Sequence, residues 1–140
     1  MKFNSIFLIS RIRESANNFI INELKKAGIK GIAPSHGDIM AALYKEDKIP
    51  MNLLAKKIRR TKATLTVLAD KLVALGLIEK EKSESDNRIT YVKLTPEGLK
   101  FRETFENISK ELNNLAYKGF SETEAEIAEK LLEKMEQNFR

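Results

Sequence analysis

The sequence has no cysteine, no tryptophan and a single histidine among its 140 residues. The missing cysteines exclude a disulfide framework, a thiolate zinc site, an iron–sulfur cluster and a thiol that senses oxidation. One histidine gives no basis for a histidine-rich metal site, so we predict no metal and no cofactor. No stretch approaches the roughly 20 apolar residues of a membrane helix, and the apolar run at 6–9 lacks the cleavage site of a signal peptide. We therefore expect a cytoplasmic protein that does not contact a membrane.

The charged residues are unevenly distributed along the chain. The composition, 42% hydrophobic and 32% charged, is that of one folded domain with a substantial core. Residues 45–93 hold 12 basic and 7 acidic side chains, a net charge of +5, whereas residues 1–44 at +3 and 94–140 at −3 cancel. A basic run is often only a solvated surface, but a localised excess is also typical of contact with a polyanion.

Hydrophobic periodicity and capping residues predict the element order α-α-α-α-β-β-α-α. The first helix is predicted over about 4–27 and the second begins at the capping signal Ser35-His36-Gly37-Asp38. A third helix opens at Ile49-Pro50, with the proline in its first turn. Thr61 is predicted to cap a fourth helix, in which leucines recur at 65, 68, 72 and 75 and the first three are expected in the core.

In the second half of the chain the hydrophobic pattern changes from helical spacing to strand alternation. Alternation predicts strands over 77–82 and 89–94, joined as a hairpin by the polar segment 83–88. Thr95-Pro96 then starts a long helix that ends at Gly119, and Ser121-Glu122-Thr123-Glu124 is a capping box for the last helix. The apolar seams of the first, fifth and sixth helices exceed what one small domain can cover, which favours a homodimer.

The third and fourth helices are joined by only Arg59-Arg60, which predicts a helix-turn-helix with the fourth helix in the recognition position. The hairpin that follows makes the module a winged helix. Five basic side chains fall within the seven positions of Lys56–Lys62, at the turn and the start of the recognition helix. This coincidence favours nucleic-acid contact over a solvated surface.

Two segments resemble the MarR family of winged-helix transcription regulators. The segment Asp86-Asn87-Arg88-Ile89-Thr90-Tyr91-Val92-Lys93-Leu94-Thr95-Pro96-Glu97-Gly98 is similar to that family's D-x-R-x-x-x-V-x-L-T-x-x-G wing signature. Leu54-Ala55, Thr64-Leu65-Thr66 and the segment 72–78 resemble its recognition-helix block. The resemblance covers nearly the whole chain and implies a mainly α fold with a small β-hairpin wing. It implies one domain over 1–140, with a DNA-binding lobe at 30–95 and dimerisation helices at 1–28 and 97–140.

The resemblance also implies a set of DNA-binding residues. Family members contact base edges and phosphates from the start of the recognition helix, insert a wing arginine (here Arg88) into the minor groove, and steady it with an acid (here Asp86). Val67 stands where many relatives carry a long basic side chain, which favours contact with a thymine methyl group. Glycine is common in relatives at the turn that Arg59-Arg60 occupies here. The predicted DNA-binding residues are Arg59, Arg60, Thr61, Lys62, Ala63, Thr64, Thr66, Val67, Lys71, Asp86 and Arg88.

We therefore expect a sequence-specific, homodimeric repressor that binds double-stranded DNA at a pseudo-palindromic operator. Relatives are often released from DNA by small aromatic or phenolic effectors, for which Phe19, His36, Met40 and Tyr44 are the candidate pocket. Two alternatives stay open: a winged helix that binds protein, and an architectural DNA-binding protein of low specificity. An enzyme has no support, because Ser35, His36 and Asp38 are too close in sequence to form a triad and no glycine-rich phosphate loop occurs.

Overall fold

The computed structural model describes residues 2–140; Met1, which the predicted domain and first dimerisation helix include, lies outside the described residues. The mainly helical class with a small β-sheet is confirmed. No helix within residues 2–140 is long and apolar enough to cross a membrane. The helices and strands are α1 (Ser5–Lys26), α2 (Pro34–Lys45), β1 (Lys48–Pro50), α3 (Met51–Lys57), α4 (Lys62–Ala74), β2 (Ile78–Lys82), β3 (Thr90–Leu94), α5 (Pro96–Lys100), α6 (Arg102–Ala116) and α7 (Glu122–Gln137).

The start of α2 differs from the prediction. The helix begins at Pro34, with Ala33 as the capping residue, so Ser35 lies inside the first turn and does not cap it. Proline at the first helical position is preorganised for the helix, and the cap lies two residues earlier than predicted. The His36 ring takes over the capping contact, since its Nδ1 accepts the backbone N–H of Ala33 at 2.8 Å. The single histidine therefore has a local structural role.

The turn between α3 and α4 depends on one residue with an unusual backbone conformation. Arg59 has φ of 55°, the left-handed region in which glycine is favoured. It thus adopts a conformation that glycine favours, and the sharp turn forms without glycine. Thr61 caps α4 as predicted, because its side-chain oxygen accepts the N–H of Thr64 at 3.1 Å.

The sheet has three strands in the order β1-β3-β2, all antiparallel. The hairpin of β2 and β3 was predicted, but β1 was not. This strand has three residues, ends in Pro50 and pairs with β3 in the register Ile49↔Val92. Ile49-Pro50 was predicted to open the third helix, but Pro50 is the residue that caps α3 from outside. Three residues are too few to show alternation in the sequence, so only the tertiary pairing reveals the strand.

The core lies where α2, α3, α4 and the sheet meet. Its fully buried side chains come from every one of these elements, and the predicted core leucines of α4 belong to it. Leu65 and Leu72 are 0% exposed, and Leu68 packs against the cluster. The largest fully buried side chains are Ile39, Met40, Leu43, Ile49, Leu54, Leu65, Leu72, Ile78 and Val92. This core fixes α4 and the hairpin on one scaffold.

The long helix predicted after Thr95 is divided at Phe101 into α5 and α6. The phenol of Tyr44 donates a hydrogen bond to the carbonyl of Gly98 at 2.7 Å. In an uninterrupted helix this carbonyl accepts the amide of Arg102, so a side chain has entered the hydrogen-bond ladder. A side chain at position 98 would also collide with the carbonyl oxygen of Leu77, 2.0 Å from an ideal Cβ. Glycine allows this close approach.

The chain divides into two compact units, the first ending at Ile108 and the second spanning Ser109–Arg140. In the second unit, Ser121 and Glu124 form the predicted capping box at the start of α7. Tyr117 donates a hydrogen bond to Glu129 and stacks edge-on against Phe120. No residue of the second unit is buried.

Candidate nucleic-acid interface

One side of α4 faces the solvent with small and apolar side chains. Ala63 and Val67 are exposed, Val67 to 70%, while Leu65 and Leu72 point into the core. The hydroxyl of Thr66 donates to the carbonyl of Lys62 at 2.9 Å, which leaves its oxygen available as an acceptor. The hydroxyl of Thr61 donates to that of Thr64 at 3.0 Å. This surface can approach a base edge closely, and it offers methyl groups and hydroxyl oxygens rather than long basic side chains.

Three cations of the basic run at the turn have no acid partner in the part of the chain that the structure describes. Lys56, Arg60 and Lys62 are exposed and make no salt bridge within residues 2–140. Other lysines of the lobe are paired with acids that are distant in sequence. The pairs are Lys48–Glu81 at 2.9 Å, Lys57–Glu46 at 3.6 Å, Lys80–Asp70 at 2.6 Å and Lys93–Glu79 at 3.2 Å. Positive charge is therefore concentrated more sharply around the turn than the sequence indicates.

The wing presents one arginine at its tip. The Arg88 side chain is 90% exposed, and its Nε and Nη2 donate to the two carboxylate oxygens of Asp86 at 3.1 and 3.2 Å. The backbone N–H of Arg88 also donates to Asp86, at 3.0 Å. The guanidinium and this amide hold the pKa of the Asp86 carboxyl below its ordinary value. Asp86 therefore stays ionised and orients the guanidinium outward.

The outer face of the sheet is electrically balanced. Lys93 pairs with Glu79, Glu81 pairs with Lys48, and the Lys48 ammonium lies 4.5 Å from the centre of the Tyr91 ring. The neighbouring carboxylates raise the pKa of Lys93, and the two lysines lower that of Glu81. Two of the basic residues counted in the lobe are thus neutralised on this face.

A groove that the sequence analysis did not identify lies between α4 and the wing. We name it the wing groove; it is a cavity of about 220 Å³. Its polar lining comes from Asn52, Lys62, Thr66, Lys80, Arg88 and Thr90. The alternation of β2 carries a usable signal, because Lys80 shares the inward face with the buried Ile78.

Not all predicted DNA-binding residues lie together. Lys62, Thr66 and Arg88 share the wing groove. Lys71 lies apart from them, since its side chain runs over Gly31 in the loop before α2, 2.9 Å from where a Cβ would stand there. Arg59 and Arg60 are exposed in the turn.

The four candidate effector residues pack in or against the core of the first unit. Met40 is 2% and Tyr44 8% exposed, His36 is buried, and Phe19 packs against the core cluster. The Tyr44 ring lies 5.3 Å from that of Phe105, and burial raises the pKa of its phenol to about 12. Their role in effector binding stays a prediction.

Comparisons with known proteins agree with this architecture. Residues 32–90 match the model of the MarR family. The chain is 35% identical over 81 residues to the HTH-type transcriptional regulator YdgJ of Bacillus subtilis, a match over 58% of this chain and 48% of YdgJ, so it spans about half of that relative. It is 24% identical to the HTH-type transcriptional regulator MhqR of the same organism, over 91% of this chain and 86% of MhqR.

The likeness extends to the whole fold. The structure of S. aureus MepR in complex with DNA superimposes with a TM-score of 0.88 at 26% identity, covering 99% of this chain and 100% of the other. The matched segment contains the turn, α4, β2 and the hairpin tip, and the fold match includes β3 and the helices on either side. Residues 32–90 therefore match the MarR family, and the chain around them has the fold of the MepR structure.

Proposed function

We propose that this protein is a homodimeric repressor that binds a pseudo-palindromic operator and is released from it by a small aromatic or phenolic effector. The observation that carries the proposal is the exposed, uncharged face of α4, which lies between the exposed cations Lys56, Arg60 and Lys62 and the wing arginine. Such an arrangement suits a helix in the major groove flanked by phosphate and minor-groove contacts. The relative MepR was crystallised with DNA, which supports the same use here.

Each part of the surface has a distinct role in this proposal. The turn and the first residue of α4 contact phosphates, through Arg59, Arg60 and Lys62, with Lys71 as a further phosphate contact. The face of α4 reads bases, with the Val67 methyl groups against a thymine methyl. Arg88, steadied by Asp86, enters a narrow minor groove, where the potential is most negative. The remaining readout residues are Thr61, Ala63, Thr64 and Thr66.

The terminal helices supply the dimer interface in this proposal. The first turns of α1 and the segment before it expose Phe3, Ile6 and Phe7 to between 56% and 79%. In the second unit, α7 and its end expose Leu131 and Phe139 to 53% and 81%. Apolar surface on this scale is typical of an interface, and a symmetric dimer matches a two-fold operator. The proposed division is a lobe at 30–95 and dimerisation helices at 1–28 and 97–140.

Repression requires no catalysis, so we infer that the protein is not an enzyme. Because its operator would lie on the chromosome, the protein would act in the cytoplasm. An effector bound by Phe19, His36, Met40 and Tyr44 would displace packed core contacts, which links its binding to the position of α2. Release is then a change in the lobe geometry rather than a block of the DNA surface.

Fluorescence anisotropy tests the proposal with two labelled duplexes: the region upstream of the protein's own gene and a random duplex of equal length. At roughly 150 mM salt we expect clear preference for the upstream region, because phosphate-only binding fades with salt. Equal, steeply salt-dependent binding to both duplexes would indicate an architectural protein. Binding to neither would indicate a protein-interaction module.

A further inference from the structure

The wing groove brings three cations together at one point. Lys62 comes from α4, Lys80 from β2 and Arg88 from the hairpin tip, and the hydroxyls of Thr66 and Thr90 and the amide of Asn52 complete its polar lining. No carboxylate lines the groove. A cavity with this lining suits a tetrahedral oxyanion that accepts several charge-assisted hydrogen bonds.

Two of the three cations are held by acids that lie outside the lining. Lys80 donates to Asp70 of α4 at 2.6 Å, and Arg88 is held by Asp86. Lys62 makes no salt bridge within residues 2–140. The side chains of Lys80 and Asp70 are 30% and 62% exposed. Because ion pairs of such exposure contribute little to stability, a phosphate can readily replace Asp70 as the partner of Lys80.

We propose that the wing groove binds one backbone phosphate of DNA, and that Asp70 competes with this phosphate for Lys80. The proposal rests on the proposed function and adds two residues to it. The phosphate backbone separates the major groove from the minor groove. If α4 lies in the major groove and Arg88 in the minor groove, the phosphate backbone must pass between them. The wing groove lies at this position.

Asp70 sets the strength of this contact. Its carboxylate neutralises Lys80 in the free protein and repels the incoming phosphate in the complex. Because phosphate contacts carry no sequence information, Asp70 lowers affinity for every DNA sequence alike and leaves discrimination to the face of α4. The expected result of removing Asp70 is tighter binding with no change in preference.

The substitution Lys80→Gln tests the contact, with Lys93→Gln as the matched control. Lys93 is also paired with an acid on the neighbouring strand, at 3.2 Å from Glu79, but it lies on the outer face of the same sheet. Both variants lose one positive charge. Binding to the upstream duplex and to a random duplex of about 30 base pairs is measured between roughly 50 and 200 mM salt.

For Lys80→Gln we expect about thirtyfold weaker binding to both duplexes at roughly 150 mM salt. The slope of log affinity against log salt should fall by about 1.8, since each of two protomers loses a contact worth about 0.9. Lys93→Gln should change affinity less than about twofold. If the two variants behave alike while the wild type prefers the upstream duplex, the phosphate site is wrong and the proposed function stands. If the wild type has no preference, the proposed function fails instead.

The competition is tested separately by Asp70→Asn, with Glu79→Gln as its control on the outer face. We expect Asp70→Asn to bind both duplexes about fivefold more tightly, with an unchanged ratio between them. Circular dichroism and thermal unfolding of all variants check that the lobe is folded. An Asp70→Asn affinity no higher than that of Glu79→Gln would overturn the competition.

Discussion

The two units of this chain bury their apolar side chains to very different degrees. The first unit contains the whole buried core, with nine large side chains below 2% exposure. The second unit, Ser109–Arg140, has no buried residue, and seven of its large hydrophobic side chains, from Leu115 to Phe139, are exposed by 37% to 81%. The part of the first unit around α2, α3, α4 and the sheet packs its own core, whereas the second unit, like the start of α1, exposes apolar surface that is typical of an interface.

The largest expected effect comes from placing a charge on that apolar surface. Leu131→Glu should weaken the dimer by about a thousandfold or more, because each of two symmetric copies buries an unpaired carboxylate. Light scattering should then give the 16.0 kDa chain mass instead of twice that value. Leu75→Glu, the same change at an exposed leucine of the lobe, is the control and should leave the dimer intact. A Leu131→Glu variant that stays dimeric would show that the apolar surface of the second unit is not the dimer interface.

A core substitution in the first unit should act on the fold itself. Leu72 is 0% exposed, so Leu72→Ala removes buried contacts and leaves a cavity. We expect the free energy of unfolding to fall by about 3–5 kcal/mol. Urea unfolding of the lobe measures it. The loss should be the same at every protein concentration, in contrast to the effect of Leu131→Glu. A loss below about 1 kcal/mol would show that the lobe is not closely packed.

Arg88→Ala should affect DNA binding and leave both units folded. Its side chain is 90% exposed and contributes little to the fold. We expect a loss of about 1–3 kcal/mol in the free energy of binding to the preferred duplex, if this arginine reads a minor groove. Titration by fluorescence anisotropy gives the value, with Arg102→Ala as a control that removes an arginine of α6. Unchanged binding by Arg88→Ala would reject the role of the wing.

The smallest expected effect belongs to the hydrogen bond from Tyr44 to Gly98. Tyr44→Phe should cost about 1 kcal/mol at neutral pH, since the carbonyl of Gly98 loses its phenol donor. Burial raises the pKa of the Tyr44 phenol from 10.0 to about 12, so the folded protein holds a proton that the unfolded chain releases between these values. The free energy of unfolding of the wild type should therefore fall as pH rises from 10 to 12. The Tyr44→Phe variant should not show the share of this decrease that comes from the Tyr44 phenol.

Urea unfolding of the wild type and of Tyr44→Phe at several pH values checks the direction of this stability change. The stability advantage of the wild type over the variant should narrow and then reverse as the pH rises through the window, because a pKa rise of this size outweighs a hydrogen bond of about 1 kcal/mol. A difference that is constant between pH 9 and 12 would show that Tyr44 does not titrate with the fold.

Local signals in the sequence predicted local structure well. The caps of α4, α5 and α7 were predictable because Thr61, Thr95 and Ser121 bond to amides only three residues away. The strand β1 and the break at Phe101 were not, because they depend on pairing with β3 and on a hydrogen bond that spans 54 positions. The capping prediction at Ser35 was wrong because Pro34 and His36 supply a competing start.

The candidate site shows the same limit. The exposed face of α4 and the tip of the wing follow from periodicity and from the wing signature. The pairing of Lys80 with Asp70, and the neutralised outer face around Lys93, depend on how strands and helix meet in space. Net charge along the sequence therefore located the lobe but did not show which of its cations have acid partners.

Selection of bound sequences from a random DNA library, followed by the mass of the selected complex, tests the central claim most directly. We expect an inverted repeat with half-sites about 10 base pairs apart, bound by two chains. A single half-site bound by one chain, or selection without any motif, would contradict it.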